Sequence, residues 1–184
     1  QPAMALDIVK ALRDAGVIQC YVESAQEAYD AHVAAFKIAE DPRILLPVMV
    51  CMDGWVLTHS YERVELLDQD TVDQFLPGFQ PQNYLDPADP KTWGSYAEAD
   101  VLMEFKYAVH QAMTAGKPRI REILAEVATI TGRDHGGLIE AYRTDDADIV
   151  FLMIGSYATK ARAAVDALRE VGEPVGLVRP RLLR

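Results

Sequence analysis

Three places in this sequence combine residue types that could do chemistry. Arg13 sits just before Gly16 at the end of an apolar-periodic stretch, where a planar, permanently charged guanidinium could reach into a cleft and grip a carboxylate bidentately. Position alone favours a plainer role, a surface arginine supporting a helix C-terminus. His59 lies near Asp53 and Glu62, a setting for a general base or a ligand, although a loop histidine beside carboxylates is more often simply hydrogen-bonded. Gly155-Ser156 falls between a β-branched run and a helical pattern, where a helix N-terminus could seat a phosphate; an ordinary N-cap accounts for the same two residues. No Walker loop, G-x-G-x-x-G, G-x-S-x-G or H-E-x-x-H motif occurs. Cys20 and Cys51 lie in apolar runs without a second Cys or His at metal-ligand spacing. They read as core thiols of a reducing compartment, and an iron–sulfur cluster held by this chain alone is excluded for four-cysteine ligation.

The elements that must position these residues follow an α/β pattern. The chain has 184 residues, half of them hydrophobic, enough for one domain or one domain and part of another. A net charge of −10 argues against a nucleic-acid surface. No apolar run approaches the roughly 20 residues of a membrane span, so a soluble, cytoplasmic protein with no membrane partner is expected. Gln1-Pro2-Ala3-Met4 has neither the basic nor the long apolar region of a signal peptide, and the missing initiator Met suggests a chain that starts partway through a longer protein.

A short amphipathic helix is predicted over Met4–Ala15, then a strand over Val17–Val22. Ser24 and Glu27 form a capping-box pattern opening a helix to about Glu40. The apolar run Ile44–Met52 predicts a buried parallel strand beginning after Pro47, and Asp53-Gly54 ends it at a rim where open parallel sheets bind ligands. Phe75–Trp93 reads as a proline-rich loop or partner-wrapping arm. Two helices are predicted over Glu98–Ala115 and Pro118–Thr131, with Pro118 in a first turn. Gly132–Asp148 reads as a linker before a compact β-α-β unit: strand Ile149–Ile154, helix Tyr157–Val171 with Gly172 as its stop, and strand Val175–Val178.

Longer words in the sequence carry a resemblance. Arg13-Asp14-Ala15-Gly16, Ile18-Gln19 and Glu23-Ser24-Ala25-Gln26-Glu27-Ala28-Tyr29-Asp30 are similar to the R-D-T-G-W-I-Q…E-S-x-Q-E-A-Y-D stretch of the alpha subunit of the pyruvate:ferredoxin oxidoreductase family. Ala35–Asp41, Leu45–Val50 and Asp53–His59 resemble its A-F-K-I-A-E-D, L-L-P-V-M-V and D-G-F-x-L-S-H. Asp68-Gln69, Phe75-Leu76-Pro77, Leu85-Asp86-Pro87, Gly132-Arg133, Gly155-Ser156 and Val175-Gly176-Leu177 continue the match in order.

The resemblance implies an α/β chain divided in two: residues 1–145, the C-terminal part of a pyrimidine-type thiamine-diphosphate-binding domain with a mostly parallel sheet and a helical arm, and residues 146–184, the first β-α-β of a domain similar to the transketolase C-terminal domain. It implies a subunit of an enzyme that oxidatively decarboxylates a 2-oxoacid, pyruvate foremost, to an acyl-CoA and passes electrons to ferredoxin. Thiamine diphosphate with Mg2+ would be held mainly by a beta-type partner, iron–sulfur clusters by other subunits of gamma and delta type, and coenzyme A would be the co-substrate. This piece alone would be inactive. Arg13 falls where the family has an arginine on the substrate carboxylate; no catalytic role is carried over to His59. Ala15 and Val17 stand where the family has Thr and Trp, Tyr157-Ala158-Thr159 is shorter than the usual turn, and the glutamate that protonates the cofactor aminopyrimidine would lie upstream. The alternative is a non-catalytic binding or assembly subunit that retains the fold without the cofactor site.

Overall fold

A computed structural model describes residues 11–94 and 96–183. Most of the helix expected over Met4–Ala15 lies outside these residues; its end is a 3-10 turn, Leu12–Asp14. Gly16 follows with φ +86, a left-handed conformation that a side chain resists, and a Cβ there would lie only 2.9 Å from Val109 Cγ1. Strand β1 (Ile18–Tyr21) is buried at all four positions and pairs in parallel with β2 (Val48–Cys51), which starts directly after Pro47 as the imino acid requires.

Between them runs α1 (Ala25–Glu40), opened by Ser24, whose hydroxyl accepts from the Glu27 N–H at 3.1 Å. A short helix, α2 (Gln69–Phe75), was not foreseen; Asp68 caps it by accepting from the Thr71 N–H at 2.9 Å. The two helices expected around Pro118 are one continuous helix, α3 (Leu102–Thr131), with Pro118 inside it. Packing overrides the local penalty of an interior proline: Met113, Ile120, Ile123 and Val127 lock both halves into one apolar core with Ile18, Val33, Ala34 and Ile38. Gly132, at φ +67, ends this helix.

The stretch read as a linker contains a strand. Residues Ile139–Tyr142 form β3, antiparallel to β5 (Val175–Pro180), which in turn pairs in parallel with β4 (Ile149–Leu152). Its exposed–intermediate alternation hides it among polar neighbours, and only the β5 edge reveals it. Helix α4 (Tyr157–Glu170) covers this mixed sheet through Ala158 and Val165. The parallel pair and the mixed three-stranded sheet are stitched together past the end of β5: Tyr21 N–H donates to Arg181 O at 2.7 Å and Leu183 N–H to Gln19 O at 3.1 Å. No helix among the described residues is long and apolar enough to cross a membrane.

Candidate functional site

The structure separates the residues that the sequence offered as candidates. Arg13 precedes the amino end of β1, whereas Asp53 and His59 follow the carboxyl end of β2, so the parallel pairing puts them at opposite ends of the sheet. Arg13 is exposed, its Nε donating to Asp14 Oδ2 at 3.2 Å. Its turn is fastened to α3: Lys106 Nζ donates to the Asp14 carbonyl at 3.3 Å. A cleft of about 480 Å3 opens beside it, bounded by Asp14 and Gly16 on one side and by α3 from Met103 to Met113 on the other. Nothing near Arg13 along the chain signals this cleft, because the helix that forms its wall lies some ninety positions away.

His59 is not brought onto either carboxylate. Its Nδ1 is hydrogen-bonded to Thr58 Oγ1 at 2.9 Å, and its ring stacks on Trp55 with centroids 5.8 Å apart. Glu62 instead accepts from the Ala25 N–H at 3.0 Å. Asp53, nearly buried, accepts from the Val56 N–H at 3.0 Å and from the Ser156 N–H at 3.2 Å. Burial alone would raise its pKa, but the Ser156 side chain and these backbone donors hold it below the ordinary aspartate value. The turn at Gly155-Ser156 therefore already carries an anion, and that anion is Asp53. Among the described residues no group of three or more His, Cys, Asp or Glu could hold a metal.

A second cluster was visible in the sequence only as a capping box. Glu27 does not turn back onto Ser24; its carboxylate accepts from the Glu23 N–H at 2.9 Å, from Arg179 Nη1 at 2.7 Å and from Arg181 Nε at 2.7 Å. All three side chains are essentially inaccessible to solvent. Arg179 also donates from Nε to Glu140 at 2.7 Å, and Arg162 bridges Glu140 at 2.8 Å and Glu23 at 2.7 Å. Three carboxylates thus face three guanidiniums, which is the condition for burying so much charge. One turn along α1, Asp30 accepts from Arg133 Nε at 2.9 Å and is hydrogen-bonded to His135 Nε2 at 2.7 Å. For Glu27 and Asp30 burial pushes the pKa up, but the arginines, with His135 for Asp30, outweigh it and hold both carboxyls low. Arg179 reaches the His135 carbonyl and Arg181 the Gly136 and Gly137 carbonyls, so the segment after α3 is strapped down. The two cysteines are buried free thiols on adjacent strands, pushed by burial to about 11 for Cys20 and about 12 for Cys51.

With this geometry in view, two sequence profiles match in succession. Residues 5–124 match the profile described as pyruvate flavodoxin/ferredoxin oxidoreductase, thiamine diP-bdg, and residues 147–184 match pyruvate:ferredoxin oxidoreductase core domain II. The chain belongs to the pyruvate:ferredoxin oxidoreductase family. It resembles the alpha-type subunit, and its first part is of the thiamine-diphosphate-binding domain type.

The chain is 48% identical to the pyruvate synthase subunit PorA of Methanosarcina barkeri over 174 residues, covering 95% of this chain and 43% of that protein. It is 42% identical to PorA of Methanothermobacter thermautotrophicus, covering 94% and 45% respectively. The ketoisovalerate oxidoreductase subunit VorA of Pyrococcus abyssi is 37% identical, with 94% and 43% covered. The chain therefore spans less than half the length of these relatives. All three are named as oxidoreductase or synthase subunits, and the alternative of a non-catalytic assembly protein is not favoured.

Proposed function

We propose that this chain is part of the alpha-type subunit of a thiamine-diphosphate-dependent 2-oxoacid:ferredoxin oxidoreductase. The enzyme would convert a 2-oxoacid, pyruvate first, and coenzyme A to an acyl-CoA and carbon dioxide while reducing ferredoxin. The observation that carries this reading is the succession, on one chain, of a thiamine-binding profile and the core domain II profile of the same enzyme. Beta, gamma and delta type partners would supply what these residues do not, namely the diphosphate and Mg2+ site and the iron–sulfur clusters. The complex would be cytoplasmic. Residues 1–145 would form the thiamine-domain portion and 146–184 the start of the second domain, with β3 pairing across that division onto β5.

In this reading Arg13 binds the substrate carboxylate. It lies on an exposed turn, and Lys106 holds that turn against α3. A planar fork suits a carboxylate better than a point charge. The test is to co-express the full-length subunit with its partners and follow 2-oxoacid-dependent reduction of a low-potential acceptor. Turnover with at least one 2-oxoacid is expected; none with any of several, despite bound thiamine diphosphate, would overturn the reading. Arg13→Ala should lower kcat/KM by about two orders of magnitude, the cost of removing a charged hydrogen-bonding partner of the substrate. A value within error of the wild type would remove Arg13 from the site.

A further inference from the structure

Positions 110, 114, 117 and 121 of α3 recur at the three- and four-residue spacing that puts side chains on one helix face. That face carries His110, Thr114, Lys117 and Arg121, and it forms one wall of a second groove, of about 440 Å3. Leu138-Ile139 and Leu182-Leu183 form the opposite wall, and Ile18, Met113 and Ile120 of the main core close the inner end. The groove shares only His110 and Met113 with the cleft beside Gly16, and no residue of the Arg13 turn lines it.

The walls are set by the fold. Arg181 and Leu182 N–H both donate to the Leu138 carbonyl, at 3.0 and 3.1 Å, and Leu183 N–H donates to the Gln19 carbonyl at 3.1 Å. Ile139 is 61% and Leu183 40% exposed, so an apolar lip faces water along this wall. The volume falls within the range of about 300–1,000 Å3 usual for small-molecule pockets.

The charge around the groove has one sign. Lys117 and Arg121 stand one helical turn apart, and among the described residues neither makes a hydrogen bond or an ion pair. Arg119, between them in the chain, is by contrast paired with Asp41, Glu122 and Glu126. No Asp or Glu is among the described residues that line the groove, in a chain of net charge −10. Like charges at this spacing repel each other, and an anion placed between them removes the repulsion. An aliphatic body attached to that anion would cover the apolar lip. We propose that the groove binds a small amphipathic anion, an aliphatic carboxylate whose head meets Lys117 and Arg121 and whose tail lies against Ile139 and Leu183. This site is apart from the substrate's and goes beyond the function proposed above.

The experiment uses the full-length subunit assembled with its partners, and isothermal titration calorimetry at neutral pH with hexanoate, octanoate and octylammonium. Binding is read directly, so the result does not depend on turnover of any 2-oxoacid. Octanoate should bind more tightly than hexanoate by about tenfold, since each added methylene in an apolar groove is worth roughly threefold to fourfold. Octylammonium has the same tail and the opposite charge, and should not bind. The variants are the double substitution Lys117→Gln with Arg121→Gln, and Ile139→Glu. None of the three residues is buried, so no substitution empties the core, and assembly is checked by size-exclusion chromatography. The double variant should weaken octanoate about tenfold or more through loss of both charged donors. Ile139→Glu, which puts a carboxylate on the lip, should weaken it by a similar factor.

Three results would each overturn the proposal. Octanoate affinity unchanged in both variants would place its binding elsewhere on the complex. Octylammonium binding as tightly as octanoate would show a groove indifferent to charge. No binding of octanoate by the assembled complex at millimolar concentration would mean that the groove is not open to small anions there, whether another stretch of the subunit or a partner fills it.

Discussion

Helix α1 is held in two unlike ways along its length. Its C-terminal half meets β1 and α3 through Val33, Ala34 and Ile38, in an apolar core that includes Ile123 with no exposed surface. Its N-terminal half meets the end of β5 through Glu27, which grips Arg179 and Arg181, and the segment after α3 through the equally buried Asp30, which grips Arg133 and His135. The apolar core is non-directional: a side chain of similar volume in a slightly different pose loses little. The ionic joint is directional, since each guanidinium has a planar donor fork and each carboxylate a fixed set of lone pairs. Buried ion pairs contribute little net stability over an apolar isostere of the same shape, but removing one partner is costly. The core therefore holds this chain together, while the joint fixes where the second sheet sits against the first.

Acid should break the joint before the core. The carboxyls of Glu27, Asp30 and Asp53 are all held below their ordinary values in the folded chain. The sign follows from proton linkage. A depressed carboxyl contributes stability that is complete above its unfolded value, near 4, and is lost as pH falls through the folded value. Urea midpoints of the subunit at pH 7, 5, 4 and 3 should be nearly flat down to about 5 and fall steeply below about 4. A decline already complete at pH 5 would mean that other groups govern the transition.

Glu27→Gln is the sharpest single cut. It keeps the shape but leaves Arg179 and Arg181 buried against one charge fewer, and should cost about 3–5 kcal/mol in denaturant unfolding. A loss below about 1 kcal/mol would show that Glu140 and Glu23 can take over both guanidiniums. The apolar side is tested more gently by Ile123→Val. Removing one methyl should cost about 0.5–1.5 kcal/mol and leave the acid profile of the remaining chain unchanged. A shifted acid midpoint in that variant would mean that the two regions are coupled rather than separate.

Much of the fold could be read along the chain where the signal is local. The Ser24 cap, the start of β2 after Pro47 and the β-α-β from Ile149 all rest on residues within a few positions of one another. The misreadings share a cause. Pro118 looked like a helix start because its penalty is local, whereas Ile120, Ile123 and Val127 on one side and Met113 on the other are joined only by packing against α1 and β1. Ile139–Tyr142 looked like linker because its partner, β5, comes almost forty residues later. Of the candidate site, the sequence offered Arg13 through its R-D-x-G word, but nothing nearby pointed to Lys106, Met103 or Tyr107. A cleft wall contributed by a distant helix leaves no periodic trace in the segment that it faces.

The family, the α/β class and the guanidinium just before Gly16 were therefore legible along the chain. These depend on residue identity and short-range spacing, which are written in the chain. It took the folded chain to show that Asp53 accepts from the turn at Gly155-Ser156, that Glu27 serves two arginines more than 150 positions away, and that the Arg13 turn rests on α3. Each of these depends on which charges and surfaces meet once water is excluded between distant segments. That is a property of the packed chain, where burial makes an unpaired charge too costly to leave and so selects its partner.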